Sequence, residues 1–324
     1  MDRFKTKLQI IRFNLLKIVI FCPLLFVCAF KAQAGTVLVI SEEDVKHQST
    51  FLSLLKENVS LSKEHVIKNI SLNGLSKQKI QAFNPSIIIS LSNKISKEIL
   101  SYQINTPTIH ALALLSNINQ LAPCLPNCTK KLPQHHFLIL DQPPARQLKL
   151  IELIKPNSKE LSIFYTQKSA LIAELYLRKK QSTTFKIQTY KTKPSSLGHQ
   201  LNEISKKSDI ILAIADTDIF NTTTLPQVLL TSYRHQTPII GFSRGFVKAG
   251  ALAAIVSDIP QLAKQLAELI SQCSAGHHFN MSENIIYPKY FSVISNRNVA
   301  RSLFLVFPSD KKLTLLLQSN ETLQ

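Results

Sequence analysis

The sequence predicts an α/β protein made of two successive lobes, each a parallel sheet covered by helices on both faces. Short unbroken apolar runs rich in Val and Ile recur along the chain, the pattern of strands buried on both sides. Segments with helical apolar spacing alternate with those runs, and such alternation implies βαβ units. The cycle then restarts after Pro143-Pro144, so one array follows another.

In the first array, Thr36 to Ile40 is a buried strand and a helix is expected over 47–58. Strands at 65–70, 86–91, 106–109 and 136–140 follow, with helices over 75–82 and 93–102 between them. In the second array a helix over 144–155 turns Leu148, Ile151 and Ile154 inward and stops at Pro156. Strands are expected at 161–165, 185–190, 209–215, 238–242 and 251–256, separated by helices over 168–180, 195–206 and 223–235. The stretch 260–273 places Leu262, Leu266, Leu269, Ile270 and Cys273 on one helical face, with Pro260 suited to its first turn. The tail Leu303 to Phe307, a turn at 308–311 and Lys312 to Leu317 reads as an added hairpin.

Residues 1–34 stand apart. Five Lys and Arg residues up to Lys17 precede the uncharged run Ile18 to Phe30, and Ala32-Gln33-Ala34 closes it. A positive flank, a short apolar core and an A-x-A end describe a secretory signal peptide, with cleavage expected near Ala34. The run is too short for a comfortable membrane span, which needs about 20 residues. The expected location is therefore the periplasm.

The chain has 324 residues, 45% hydrophobic and 18% charged, with a mean hydropathy of +0.07, so it carries ample material for packed cores. Its net charge of +18 is scattered as single Lys residues, and Trp is absent. Nucleic-acid binding calls for a basic stripe beside aromatics, which is missing, so a cationic soluble surface is the expectation. Setting residues 1–34 aside leaves Cys124, Cys128 and Cys273. An oxidising compartment favours a disulfide across the Cys124-Leu-Pro-Asn-Cys128 loop, while a metal site there is the rival reading. Cys273 reads as an inert buried thiol.

There is no G-x-x-x-x-G-K-[ST], H-E-x-x-H or G-x-G-x-x-G, and seven glycines leave little for a phosphate cradle. The expectation is a binding protein, not an enzyme, with no cofactor and no metal. His135-His136 and His277-His278 invite a metal reading, but neighbouring side chains on an extended segment point to opposite faces. Both pairs fall at element boundaries, where solvated histidines are common, and His110 and His47 have less support still.

Open α/β sheets bind ligands beyond the carboxyl ends of their strands. That selects Ser41 and Glu42 after the first strand and Ser92 and Asn93 after the third. In the second lobe it selects Tyr165, Thr166, Asp216, Asp218, Ser243 and Arg244. Ser92, Asp216 and Ser243 also precede expected helices and serve equally as N-caps.

Leu229 to Arg234, Pro238-Ile-Ile-Gly-Phe-Ser243 and Phe246 to Ala254 carry a resemblance. Leu140 to Gln147, Ala213 to Asn221 and Phe291 to Leu303 continue it. Over about 137–303 the chain resembles the periplasmic substrate-binding proteins of uncharacterised ABC transporters, a family that includes tryptophan/tyrosine-type binding proteins. The resemblance implies a type I periplasmic-binding-protein fold, two Rossmann-like lobes with parallel sheets joined by three crossovers around an interlobe cleft. It implies that Asp216 and Ser243 line that cleft, that the helix over 258–278 returns to the first lobe, and that a strand near 288–294 returns to the second.

The expected organisation is then a signal peptide over 1–34 and an N-terminal lobe over 35–142 with the returning 258–278. A C-terminal lobe covers 143–257 with 284–303, and an extension covers 304–324. The expected partners are a small organic, amino-acid-like ligand and an ABC permease or membrane sensor, with the chain a monomer and no nucleic acid involved. Alternatives are a degenerate binding protein acting as a sensor or envelope interaction module, and a metal carrier.

Overall fold

The computed structural model describes residues 35–60, 65–122, 132, 134–274 and 284–322. Residues 1–34, Cys124, Cys128 and the His277-His278 pair lie outside the described residues, as does the side chain of Cys273.

The chain forms two six-stranded sheets. The first contains β1 (Gly35–Ser41), β2 (His65–Ser71), β3 (Ile87–Ser90), β4 (Thr108–Ala113), β5 (His135–Ile139) and β11 (Ile285–Ile286), in the order β11-β5-β4-β3-β1-β2. The second contains β6 (Glu160–Tyr165), β7 (Lys186–Lys191), β8 (Ile210–Leu212), β9 (Ile239–Gly241), β10 (Ala253–Val256) and β12 (Ser292–Ser295), in the order β12-β10-β9-β8-β6-β7. The recorded pairings are parallel except β10 with β12. This is the two-lobe α/β architecture that the alternating apolar runs imply.

Strand alternation explains how each sheet is covered. In β1, Val37 and Val39 face one core and Leu38 and Ile40 the other. The first of these cores is closed by α1 (Lys46–Ser60), through Phe51, Leu55 and Val59, and by α10 (Ile259–Ser274), through Leu262, Leu266 and Ile270. The i, i+4 spacing of those residues puts them on one helical stripe, and the late helix α10 thereby packs beside α1. The opposite face is covered by α2 (Lys77–Ala82) and α3 (Asn93–Tyr102), through Ile80, Ile95 and Ile99. A further helix, α4 (Leu115–Leu121), follows β4.

In the second sheet, Leu161 and Ile163 of β6 face a core shared with α5 (Pro144–Ile154) and α6 (Ala170–Leu177). Phe164 turns the other way, toward α7 (Leu197–Ser205), α8 (Leu225–Arg234) and α9 (Arg244–Ala249). Gly241 ends β9 because an added Cβ would sit 3.1 Å from the Phe246 side chain and 3.2 Å from Ala251.

Several expectations need correction. The tail is not a hairpin: a short α11 (Arg297–Ser302) and then α12 (Asp310–Thr322) close the chain. Leu313 and Leu317 lie one helical turn apart and are buried against the second-lobe core. A short leucine run does not by itself distinguish strand from helix. Residues 285–286 pair with Phe137 and Leu138 of the first sheet, not with the second, anchored by Asn284, whose amide donates to the carbonyls of Leu132 and His135. The expected strand at 209–215 is regular only over Ile210–Leu212; the Ala213 amide still donates to the Ile240 carbonyl, and the chain turns by Asp216. His135 and His136 are not solvated boundary residues. They lie inside β5 and are buried, as is His110 in β4.

Three short connections join the lobes: 140–143, 257–258 and 287–291. Hydrogen bonds lace them together. Gln142 Nε2 donates to Ser257 Oγ (3.0 Å), and that hydroxyl donates to the Tyr290 carbonyl (2.6 Å). Arg146, near the start of α5, donates to Gln142 Oε1 and the Pro288 carbonyl, pairs with Glu321 of α12 at 2.5 Å, and stacks 3.9 Å from the Phe291 ring.

Candidate functional site

A cavity of about 290 Å³ opens where strand ends of the two sheets meet. The first sheet contributes Leu114 and Leu115 after β4 and Leu140, Asp141 and Gln142 after β5. The second contributes Ala213 to Ala215 after β8, Phe242 to Arg244 after β9, and Val256 to Asp258 at the end of β10. Helices α5 and α6 close it with Gln147, Ile172, Leu175 and Tyr176, and Tyr287 adds a wall from the third connection. Most of the lining is apolar, with a few convergent polar groups, the usual make-up of a small-molecule site.

Those polar groups divide by charge. Asp141 Oδ2 accepts from the Leu115 amide at 2.7 Å, which caps α4 from a neighbouring loop where Leu114 has no side chain to do so. Burial nevertheless pushes the Asp141 carboxyl up to about 6, the backbone hydrogen bonds opposing that rise. Gln147 is 4% exposed, and its Oε1 has no hydrogen-bond partner. A buried amide oxygen without a donor costs free energy, about 1–3 kcal/mol, so it marks a place where a donor belongs. Burial and then the Asp141 charge push the Tyr176 hydroxyl upward, which keeps it protonated. Arg244 is the first residue of α9, and Ser243 caps that helix by accepting from the Phe246 amide at 3.1 Å.

Of the ten residues that strand-end reasoning selects, the cavity brings together Ser243 and Arg244. Asp216 is 1% exposed and is not part of the lining. Its Oδ2 accepts from the Thr166 amide (2.9 Å), the Thr166 hydroxyl (2.7 Å) and the Ser169 hydroxyl, while Oδ1 accepts from the Asp218 amide. It thus pins the end of β6 to the turn after β8, and no regular helix follows it directly. Asp218 pairs with Lys168 at the surface, and Tyr165 packs at the edge of the second-lobe core.

In the first lobe Ser41 donates to Asn69, the Glu42 amide donates to Gln48, and Ser92 caps α3 by accepting from the Ile95 amide. Asn93 keeps a buried, unpartnered Oδ1 away from the cavity lining. These four follow β1 and β3, whereas the cavity opens at β4 and β5, nearer the other edge of the sheet.

Asp141, Gln147, Tyr176, Asp258 and Tyr287 are lining residues that the strand-end selection passes over. Gln147 had a readable signal: it occupies the inward stripe of Leu148, Ile151 and Ile154, four residues before Ile151, where an apolar residue is expected. Among the described residues, no group of three or more His, Cys, Asp or Glu could hold a metal ion, and no helix is long and apolar enough to cross a membrane.

The fold is the two-lobe α/β fold of the periplasmic-binding type. Residues 139–305, just over half the chain, match the family of ABC transporter substrate binding proteins, and the chain belongs to that family. No curated protein sequence matches it significantly. Solved structures match over nearly their whole length. An open, ligand-free substrate-binding protein with adhesive properties from Clostridium difficile superposes with a TM-score of 0.64 at 13% identity, covering 86% of this chain and 97% of that one. An ABC domain in complex with L-Trp from Streptococcus pneumoniae gives 0.56 at 15% identity, covering 87% and 98%. A conserved domain protein from Vibrio cholerae gives 0.56 at 17% identity, with the same coverage. At these identities the likeness is one of fold.

Proposed function

We propose that the protein is the exported solute-capturing component of an ABC transport system, and that it holds a small amino-acid-like ligand in the cavity between its lobes without transforming it. Residues 1–34 act as its signal peptide, and the periplasm is its compartment. The observation that carries the ligand class is the Asp141 carboxylate in the lining of the cavity, which Gln147 also lines. A carboxylate in a largely apolar lining suits an ammonium group, which brings donors and positive charge. Arg244 and the Ser243 hydroxyl suit a carboxylate, and the leucines, Ile172, Phe242 and Val256 suit an apolar side chain. Closure of the lobes would exclude water from these contacts, and a permease would read the closed state. The cavity stands open instead of being filled by side chains, which favours capture over a module that has lost its ligand. The L-Trp held by the Streptococcus protein supports the same class.

The test is a calorimetric and thermal-shift panel of apolar L-amino acids, each with its matching amine-free acid and carboxylate-free amine. At least one amino acid should raise Tm, and its amine-free acid should bind at least about tenfold more weakly. Because Asp141 must be ionised to hold an ammonium, affinity should weaken as pH falls below about 6. Asp141→Asn should weaken binding about 10–100-fold and flatten that pH dependence. Equal binding of the amine-free acid, or an unaltered affinity in Asp141→Asn, would overturn the reading.

A further inference from the structure

The segment between α11 and α12 exposes two large apolar side chains side by side: Phe304 is 90% exposed and Val306 is 96% exposed. Neither folding nor packing accounts for them. The Leu305 amide donates to the Ala300 carbonyl and the Phe304 amide to the Arg301 carbonyl, the paired bonds of a Schellman cap ending α11. Phe304 occupies the left-handed position of that cap, at φ 54, where glycine is favoured and a bulky residue is strained. Its neighbours Leu305 and Phe307 pack against the second-lobe core, while Phe304 and Val306 stand outward.

The surroundings are cationic. Residues 297–312 contain Arg297, Arg301, Lys311 and Lys312 against the single acid Asp310. Arg297 pairs with Asp310, while Arg301 contacts the neutral Asn298, and the described ion pairs include none for Arg301, Lys311 or Lys312. Leu315 of α12 is a further exposed apolar side chain on the helix that carries the two lysines. A pair of protruding apolar groups flanked by uncompensated Lys and Arg complements a surface that is negatively charged outside and hydrocarbon beneath.

We infer that Phe304 and Val306 form a membrane-docking knuckle, which seats the second lobe on an anionic phospholipid surface. This inference is independent of which ligand the cavity takes. The absence of Trp from the chain makes a local test available. Three full-length single-Trp proteins are compared: Phe304→Trp, Val306→Trp, and Tyr233→Trp at an exposed position on α8. Each is mixed with phosphatidylcholine vesicles with or without phosphatidylglycerol, and with brominated lipid as quencher. The tryptophans at 304 and 306 should shift to the blue and be quenched on anionic vesicles, at least about threefold more than on neutral ones, with the effect reduced by salt. The tryptophan at 233 should respond to neither, so attachment by any other segment is distinguished from insertion of this one.

Arg301→Gln, Lys311→Gln and Lys312→Gln added to Phe304→Trp should lower the quenching about tenfold. Phe304→Gly should raise Tm while lowering vesicle binding, which separates docking from folding. The proposal is overturned if positions 304 and 306 behave like 233, or if neutral and anionic vesicles act alike. A blue shift that follows protein concentration without vesicles would assign the pair to a second copy of the chain and overturn it too.

Discussion

In the first sheet the polar residues that end β1 and β3 are tied within their own lobe, Ser41 to Asn69, the Glu42 amide to Gln48, and Ser92 to the Ile95 amide. In the second sheet the ends of β9 and β10 bring Ser243, Arg244, Ser257 and Asp258 to the cavity. The residue types are similar in the two halves. Place in the strand order separates them, because β11, β5 and β4 of the first sheet lead into the cavity lining, whereas β1 and β3 lie farther along the sheet. The lobes also differ inside. A buried polar row crosses the first sheet, in which Ser90 Oγ meets Ser96 Oγ and His110 Nδ1, and His110 Nε2 meets His135 Nδ1 at 3.1 Å. The second lobe instead receives α12 and the Arg146 tie.

The largest effect should come from breaking the element that belongs to both halves. Arg146→Ala leaves Gln142 and the Pro288 carbonyl without their donor and removes the stacking on Phe291, and because Glu321 is exposed the loss is that of the buried hydrogen bonds and packing, about 2–4 kcal/mol. Urea unfolding of the variant should show a loss of that size. A loss under about 1 kcal/mol would mean that the connections hold without it.

Acid should then distinguish the lobes. Burial first, and the neighbouring histidines second, hold His110 well below its usual value and His135 at about 4, so both are neutral in the fold. The unfolded chain binds protons near pH 6.5, so this contribution is complete above that pH and is lost as pH falls toward 4. The cost for His135 alone approaches roughly 3 kcal/mol. Asp141 runs the other way: raised to about 6, it favours the fold at low pH and loses that contribution as pH rises through 6. Hydrogen exchange at pH 7 and 4.5 should show β4 and β5 losing protection before β8 and β9. Simultaneous loss in both sheets would erase the distinction.

The smallest effect sharpens the comparison of strand ends. Ser92 and Ser243 both cap helices by accepting from the amide three residues on, and replacement of either by Ala should cost about 1 kcal/mol of stability. Only Ser243→Ala should also weaken the ligand, by a few-fold. Equal ligand affinity in the two variants would remove Ser243 from the site.

Much of the fold was legible because a strand buried on both faces leaves an unbroken apolar run, as Val37 to Ile40 and Ile87 to Ile89 do, with Leu161, Ile163 and Phe164 broken only by the buried Ser162. The misreadings have physical sources. Helices of six residues such as α9 and α11 are too short to show a period, and Leu313 to Leu317 fits strand and helix alike. The site was legible only in part. Ser243 and Arg244 follow from the rule for strand ends, which covers Asp141, two residues past β5, equally well although the selection passes over it; Gln147 and Tyr176 lie on helices, so their place in the lining depends on how the two sheets are set together. Asp216 misled because acids at strand ends serve loops as readily as ligands, and its partners Thr166 and Ser169 lie about fifty positions away in sequence.

The last strands carry a consequence for how the molecule comes into being. β11 completes the first sheet and β12 the second, although both are encoded after residue 284. A chain growing from its N-terminus therefore holds two unfinished sheets until synthesis has passed residue 295. Neither half can mature ahead of its sibling, and a premature stop would leave both exposed to mispairing.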